Sequence, residues 1–429
     1  TQPLWLLLLL SPYLAILIKD PSVFLQVRSL SGYASGDSGF NWLMFGSAAT
    51  MAFALVVQVG EQVDFLRFLP EKTPGNRRRW WFSVLAAGPG WIVPGVCKMM
   101  GGVLLAYLVL QAQLPVEKAL DPTQMYLAGF SYVFTHPAIA ILATVLFVVV
   151  SQVKINVTNA YAGSLAWSNF FARLTHSHPG RVVWLVFNVG IAILLLTLGV
   201  FKALEQVLGL YANLATAWVG ALVADLVINK PLGLSPKGIE FKRAHLYDIN
   251  PVGVGATLLA SLSGIFCYTG GLGPWAQSFS PMIALAVALL ASPLLAWTTG
   301  GRFYIARKSP RLWQPGQLVP CTVCENRFES EDMAFCPAYG EAICSLCCTL
   351  ESRCHDRCKT RSRSTEQLQD LLGKLLPGAL SSRINFRVTH YLVVLCALAV
   401  LLTAVMGLVY YQEAVASALE PAQRATVWL

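Results

Sequence analysis

Charged residues are scarce in this sequence. Asp, Glu, Lys and Arg together make up 12% of the 429 residues, whereas hydrophobic residues make up 55% and the mean hydropathy is +0.58. A soluble domain is about one quarter charged. This scarcity of charge excludes a disordered chain and an ordinary cytosolic enzyme, and the composition predicts an all-α polytopic membrane protein.

Sequence signatures of common enzymes are absent. We find no Walker phosphate-binding loop, no kinase signature, no Ser/His/Asp arrangement and no zinc-protease motif. We therefore expect no enzyme activity within this chain, although a kinase following Leu429 would fit. No basic segment precedes the first apolar run, so we expect no signal peptide, and we expect a fragment of a longer protein.

Nine apolar segments resemble membrane-spanning helices, which need about 20 residues. They are residues 4–18, 41–60, 82–111, 137–172, 182–201, 203–228, 251–271, 276–300 and 388–411. Fifteen Lys and Arg residues fall in the loops on one side and four on the other, which places the basic side in the cytoplasm. This asymmetry accounts for the net charge of +9, so the charge does not indicate nucleic-acid binding. We predict that the protein lies in a bacterial-type inner (plasma) membrane.

Hydrophilic side chains occupy the middle of one predicted membrane helix. At about 100° per residue, one stripe is formed by Gln152, Asn156, Asn159 and Gly163, and the neighbouring stripe by Ser151, Lys154 and Thr158. A charge at membrane depth is costly and usually faces a cavity or an ion path. We predict a solute and ion site here, with interhelical hydrogen bonding as the alternative.

Three stretches resemble one family of transporters. They are Glu61-Gln-Val-Asp64-Phe65-Leu-Arg67, the run from Lys154 to Asn169, and the segment from Phe241 to Pro251. Respectively they resemble the end of the sixth helix, the eighth helix, and the loop before the eleventh helix of purine/cytosine permeases, the nucleobase–cation symporters. The resemblance covers about residues 1–312. It implies a leucine-transporter-type fold that here lacks its first four helices.

The resemblance also implies roles for individual residues. Asn159 matches the family's substrate-binding Asn, and we expect Asn156 and Gln152 beside it to contact a nucleobase-like solute. Lys154, with Ser151 nearby, falls where the family has a sodium-binding hydroxyl. An ammonium there would replace the sodium ion, which leaves proton coupling or no coupling open. Further candidate contacts lie on the second span: Gly46, Ser47 and Phe53, with Phe45 and Trp42 as alternative aromatic residues.

Cysteines are concentrated in one short polar segment. It holds eight of the 11: Cys321, Cys324, Cys336, Cys344, Cys347, Cys348, Cys354 and Cys358. Two C-x2-C pairs suit a tetrahedral structural zinc ion, and the other four could close a second site, with His355 as a substitute ligand. We predict two zinc ions, with an iron–sulfur cluster as the alternative. Disulfides are disfavoured on the cytoplasmic side.

These features predict a modular organisation. A permease-like membrane domain spans residues 1–312, a cytoplasmic zinc-type module 315–362, a linker 363–387, a membrane helix 388–411 and an extracytoplasmic tail 412–429. A short amphipathic helix is expected over 121–134.

The arrangement resembles bacterial sensors, often hybrid histidine kinases, in which a transporter-like domain precedes signalling modules. We therefore predict a sensor-transporter embedded in the lipid bilayer, which binds a nucleobase-like solute and couples to a downstream signalling domain or partner. The alternatives are a plain secondary transporter with a structural zinc module, and a redox or metal sensor.

Overall fold

A computed structural model of the chain describes most of its residues. The described residues are 2–27, 40–58, 60, 69–70, 72–175, 180–197, 201–307, 312–351, 354, 356–359, 362–363 and 366–370, with scattered residues between 388 and 407. The chain divides into two compact units. One comprises Thr1–Asn41 and Gln58–Ala162, and the other comprises Trp42–Val57 and Gly163–Leu429.

Helices dominate both units. In chain order they are α1 Gln2–Lys19, α2 Val23–Gln26, α3 Trp42–Ala54, α4 Arg77–Ala87, α5 Ile92–Gln111, α6 Val116–Ala119, α7 Pro122–Val133, α8 Pro137–Thr175, α9 Arg181–Thr197, α10 Phe201–Ala224, α11 Pro251–Tyr268, α12 Gly273–Ser278, α13 Ser280–Thr299 and α14 Ser345–Leu350. Short 3₁₀ turns precede α5 and follow α3, and a π-helical turn, Asp225–Asn229, extends α10.

Five of the predicted spans are confirmed as helices long and apolar enough to cross a membrane. Among the described residues these are Pro89–Gln111, Pro137–Ala172, Leu208–Asn229, Pro251–Tyr268 and Ser280–Thr299. The chain is therefore a membrane protein. The predicted spans 4–18, 41–60 and 182–201 contain shorter apolar helices. Most of 388–411, and all of 412–429, lie outside the described residues.

In the first unit, α7 packs against α1 and α5. Gly129 permits the close approach, because a Cβ there would lie 2.9 Å from both Leu105 and Pro12. The neighbouring Phe130 is fully buried and contacts Phe147 of α8. Helix α7 also confirms the short helix expected over 121–134, and Asp121 caps its N-terminus by accepting from the Thr123 amide at 2.8 Å.

In the second unit, α10, α11 and α13 pack through small residues. Ala217, Ala260, Ala284 and Ala288 form one fully buried cluster. A Cβ on Gly264 would lie 2.5 Å from Asn213 Oδ1 and 2.9 Å from Ala284 Cβ. Membrane helices pack closely in this way because lipid supplies no hydrophobic force between them.

Among the described residues, the named strands lie in the cysteine-rich segment, which thereby departs from the predicted all-α class. It contains two antiparallel hairpins, formed by strands β1 Leu318–Pro320 with β2 Arg327–Glu329 and by β3 Met333–Cys336 with β4 Glu341–Cys344. The strands are only three or four residues long, too short to show a period-2 pattern of burial in the sequence. Helix α14 follows β4 directly.

Candidate metal centre and polar cleft

A tight turn after β1 presents the first two cysteines of the module. The Glu325 amide donates to the Cys321 carbonyl at 2.8 Å, and the Cys321 amide donates to the Asn326 carbonyl at 2.9 Å. Glu325 adopts a positive φ of 62°, which closes the turn. Cys321 and Cys324 therefore project from a compact knuckle.

The end of β4 supplies the other pair. Cys344 is the last residue of β4 and precedes α14, and Cys347 lies in the first turn of that helix. The Cys344 amide donates to the Cys321 sulfur at 3.3 Å, and the Cys347 amide donates to the Cys344 sulfur at 3.4 Å. The cysteine sulfurs of the knuckle thus lie next to those at the start of α14.

The four sulfurs converge as a metal-binding set. All lie within 4.8 Å of one another, and the Cys324 and Cys344 sulfurs are 4.0 Å apart. Sulfurs about 2.3 Å from a tetrahedral metal ion lie about 3.8 Å from each other. Cys321, Cys324, Cys344 and Cys347 therefore have the spacing needed to hold one metal ion.

The electrostatics of the set favour a bound cation. Burial opposes ionisation of Cys321, but amide groups, including those of Cys324 and Cys344, donate to its sulfur and lower its pKa to about 7. Burial, together with the neighbouring Cys321, raises the pKa of Cys344 to about 11. Two neighbouring thiolates repel each other, so the second thiol loses its proton less readily than the first. A bound divalent cation neutralises this repulsion.

The module packs against the loop that leads into α11, residues 240–250, here named the docking loop. Arg243 Nη2 donates to Asp356 Oδ2 at 2.6 Å, and both side chains are only 4% exposed. Lys359 Nζ lies 2.8 Å from Asp248 Oδ1 and is 1% exposed. Two ion pairs with buried basic ends therefore join the module to the membrane bundle.

Further hydrogen bonds extend this junction to Ile249, the residue before the N-cap of α11. The Asp248 amide donates to the Ser362 carbonyl at 3.0 Å. The Gln367 side-chain amide pairs with the backbone of Ile249 in both directions, at 3.1 and 2.9 Å. Asn250 then caps α11. Displacement of the module would therefore act directly on the start of a membrane helix.

The polar part of α8 borders an open cleft of about 260 Å³ in the first unit. Its lining is Trp5, Ser151, Lys154, Ile155, Thr158 and Asn159. Trp5 Nε1 donates to Ser151 Oγ at 3.0 Å, and Lys154 Nζ lies 5.1 Å from the centre of the Trp5 ring. One tryptophan of α1 thus orients both a hydroxyl and an ammonium.

Comparisons with known proteins give no relative: no family model, curated protein or solved structure matches this chain.

The predicted solute-site residues of α8 divide between two faces. Ser151, Lys154 and Asn159 line the cleft, whereas Gln152 and Asn156 are exposed outside it. Trp5, Ile155 and Thr158 complete the lining and were not among the predicted site residues. Helical spacing places Ser151, Ile155 and Thr158 on one face of α8, so these lining residues could have been predicted. Nothing in the sequence indicated that Trp5 of α1 lies opposite them.

The other predicted contacts lie on α3, in the second unit. Gly46 packs against α12, since a Cβ there would lie 2.9 Å from Ser278 Cβ. Ser47 Oγ donates to the Leu43 carbonyl of its own helix at 3.1 Å. Phe53 is half-buried. Among the alternative aromatic residues, Phe45 contacts Phe279.

The remaining predicted metal ligands gather elsewhere in the module. Cys336, Cys348, Cys354 and Cys358 line one small cavity beside Ala244 of the docking loop. His355 lies outside the described residues.

Proposed function

We propose that this chain is the membrane part of a sensor-transporter, which binds a nucleobase-like solute and transmits its occupancy to a cytoplasmic zinc module. The observation that carries the proposal is the cleft on α8, where an amide, two hydroxyls, an ammonium and an indole meet along an apolar helix. The plain transporter remains the second candidate, and the junction through the docking loop favours the sensor.

The chemistry of the cleft suits a small planar heterocycle. The Asn159 amide both donates and accepts hydrogen bonds, as the edge of a nucleobase does. Trp5 supplies an aromatic wall. A volume of about 260 Å³ lies near the lower limit of small-molecule sites, roughly 300 Å³, and so favours a solute the size of one heterocycle.

Lys154 acts in this proposal as a fixed cation. An ammonium over the face of Trp5 is stabilised by the ring, and Nζ lies 5.1 Å from the ring centre. An ammonium at this point of α8 would take the place of a sodium ion. We therefore propose transport or binding that is independent of sodium.

We propose zinc as the metal of the Cys321 set. Four thiolates converging on one point suit a single tetrahedral ion. An iron–sulfur cluster would place its own inorganic core between the thiolates and hold them further apart than 4.8 Å. The close spacing therefore favours zinc over a cluster.

Signal transfer would run through the docking loop. The module contacts this loop through two ion pairs whose basic side chains are buried, and the loop continues into α11. Rearrangement of the membrane helices around a bound solute would move the loop and thus the module. We place the module on the cytoplasmic side, where the basic loops predict it to lie.

The test is equilibrium binding of uracil, cytosine, hypoxanthine and hydantoin to the full-length protein in lipid nanodiscs. We expect at least one of the four to bind, and Asn159→Ala to weaken its binding at least tenfold by removing a paired donor and acceptor. Asn156→Ala is the matched control, because Asn156 lies three residues away but outside the cleft.

Two outcomes would contradict the proposal. Absence of binding by all four compounds would overturn the solute class. Equal loss of binding in Asn156→Ala and Asn159→Ala would show that the cleft does not define the site. Uptake into proteoliposomes by a protein truncated after residue 314 would favour the plain transporter over the sensor.

A further inference from the structure

Four cysteines outside the first metal set share one cavity. Cys336, Cys348, Cys354 and Cys358 line a space of about 10 Å³, close to the room that a single water-sized guest needs. Its other walls include Phe335 and Ile343. Such a cavity accepts one small ion and excludes any larger ligand.

The β3–β4 hairpin separates this cavity from the first set. Met333 pairs with Cys344, whereas Cys336 pairs with Glu341 at the other end of the hairpin. Three residues along a strand span about 10 Å. The Cys336 thiol and the Cys344 thiol therefore belong to different ends of the same hairpin.

Helix α14 contributes one cysteine to each of the two cysteine sets. Cys347 and Cys348 are consecutive, and consecutive residues on a helix point about 100° apart. Cys347 turns toward the Cys321 set, and Cys348 turns into the small cavity. The adjacent cysteines of the sequence thus serve two separate centres.

A second tight turn carries the last two thiols. Asp356, between Cys354 and Cys358, has a positive φ of 52°, as Glu325 has beside the first pair. The Lys359 amide donates to the Asp356 carbonyl at 3.0 Å, and the Arg357 amide donates to the Cys354 carbonyl at 3.1 Å. This turn resembles the first knuckle in presenting two cysteines from a compact loop.

The carboxylates at the cavity are already engaged. Asp356 is paired with Arg243, and Glu351 Oε2 accepts from Tyr339 Oη at 2.6 Å. The thiols therefore remain as the donors that converge on the cavity, and soft thiolates select zinc among the abundant divalent cations.

We propose that Cys336, Cys348, Cys354 and Cys358 form a second zinc site, separate from the first and adjacent to the docking loop. Each thiol releases its proton to solvent as its sulfur binds the ion. Within the described part of the chain only the first set has all its ligand atoms within 4.8 Å, so zinc binding draws the second set together. The bound ion would hold the Asp356 turn against Arg243.

The test is the zinc content of the full-length protein, measured by native mass spectrometry and by elemental analysis after purification without chelators. We expect two zinc ions per chain. Titration of the wild type with a mercurial reagent should release both ions as the eight thiols of the module react. This measurement uses the wild-type protein, so it tests the proposal even if a cysteine variant does not fold. It is also independent of whether any nucleobase binds.

Variants assign the ions to their sites. Cys358→Ser and Cys336→Ser should each reduce the content from two ions to one, and so should Cys321→Ser at the first site. Cys97→Ser is the control and should retain two, because Cys97 lies on α5 in the other unit. One zinc ion in the wild type, two in Cys358→Ser, or a disulfide among these four cysteines would overturn the proposal.

Discussion

Breaking the buried ion pair between Arg243 and Asp356 should loosen the junction between the module and the membrane bundle. The substitution Asp356→Asn removes the negative charge and keeps a residue type that tolerates the positive φ of 52°. It leaves the Arg243 guanidinium, whose side chain is 4% exposed, without its carboxylate. Removing one partner of a buried pair costs about 3–5 kcal/mol, because the other charge stays desolvated.

Hydrogen–deuterium exchange on the full-length protein measures this cost locally. At about 1.4 kcal/mol per factor of ten, exchange in peptides covering 240–250 should accelerate by between about 100-fold and about 4,000-fold. The double variant Arg243→Met/Asp356→Asn should recover much of the protection, since no unpaired charge remains.

The matched control is the pair between Arg363 and Glu366, whose side chains are 37% and 23% exposed. An exposed pair contributes at most about 1 kcal/mol, so Arg363→Met should accelerate exchange less than about tenfold. If Asp356→Asn accelerates exchange no more than Arg363→Met does, the buried pair does not hold the junction.

Three further predictions concern other parts of the molecule. Lys154→Ala should weaken nucleobase binding or make it sodium-dependent, measured with sodium against choline, and unchanged affinity and unchanged cation dependence would refute the fixed-cation hypothesis. Cys324→Ser should lose one zinc ion and lower the thermal midpoint of the module, and an unaltered metal content would contradict the first site. Gly264→Val should reduce the yield of folded protein in detergent, because overpacking costs about 1–3 kcal/mol and a Cβ there meets Asn213 Oδ1 at 2.5 Å. Gly253→Ala is its control, with nothing within 4 Å of the added carbon.

Sequence spacing predicts the first metal set because each of its two cysteine pairs is formed by a short local segment. A C-x2-C knuckle needs only a tight turn, and the second pair sits at one strand-to-helix junction. The same spacing leaves Cys336, Cys348, Cys354 and Cys358 as a second set, because Cys347 rather than Cys348 completes the second C-x2-C pair. What the spacing does not predict is where this second set lies, because its position depends on the helical face of Cys348 and on the register of the β3–β4 hairpin.

The docking loop shows the opposite case. In the sequence, Lys242 and Arg243 are simply two of the basic residues that predict which side of the membrane is cytoplasmic. Burial of Arg243 depends on Asp356, which is 113 residues away, and no local pattern links the two. Ion pairs of this kind are set by long-range packing, so the sequence predicts their charge and their side of the membrane but not their partners.

The polar helix is an intermediate case. Its periodicity places Gln152 and Asn156 on the same stripe as Asn159, but the cleft follows the neighbouring stripe. The position of Trp5 determines which stripe lines the cleft, because its indole contacts Ser151 and Lys154 and forms the wall of the cleft opposite α8. A helical wheel therefore predicts that a polar face exists, and the neighbouring helix determines which residues of that face bound a cavity.

The most direct test of the sensor hypothesis is the rate at which a chelator removes zinc from the full-length protein, with and without saturating uracil, cytosine, hypoxanthine or hydantoin. If solute occupancy reaches the module through the docking loop, the nucleobase that binds should change this rate, and Asn159→Ala should abolish the change. If a nucleobase binds and the rate of zinc release stays the same, the membrane site and the metal module are not coupled.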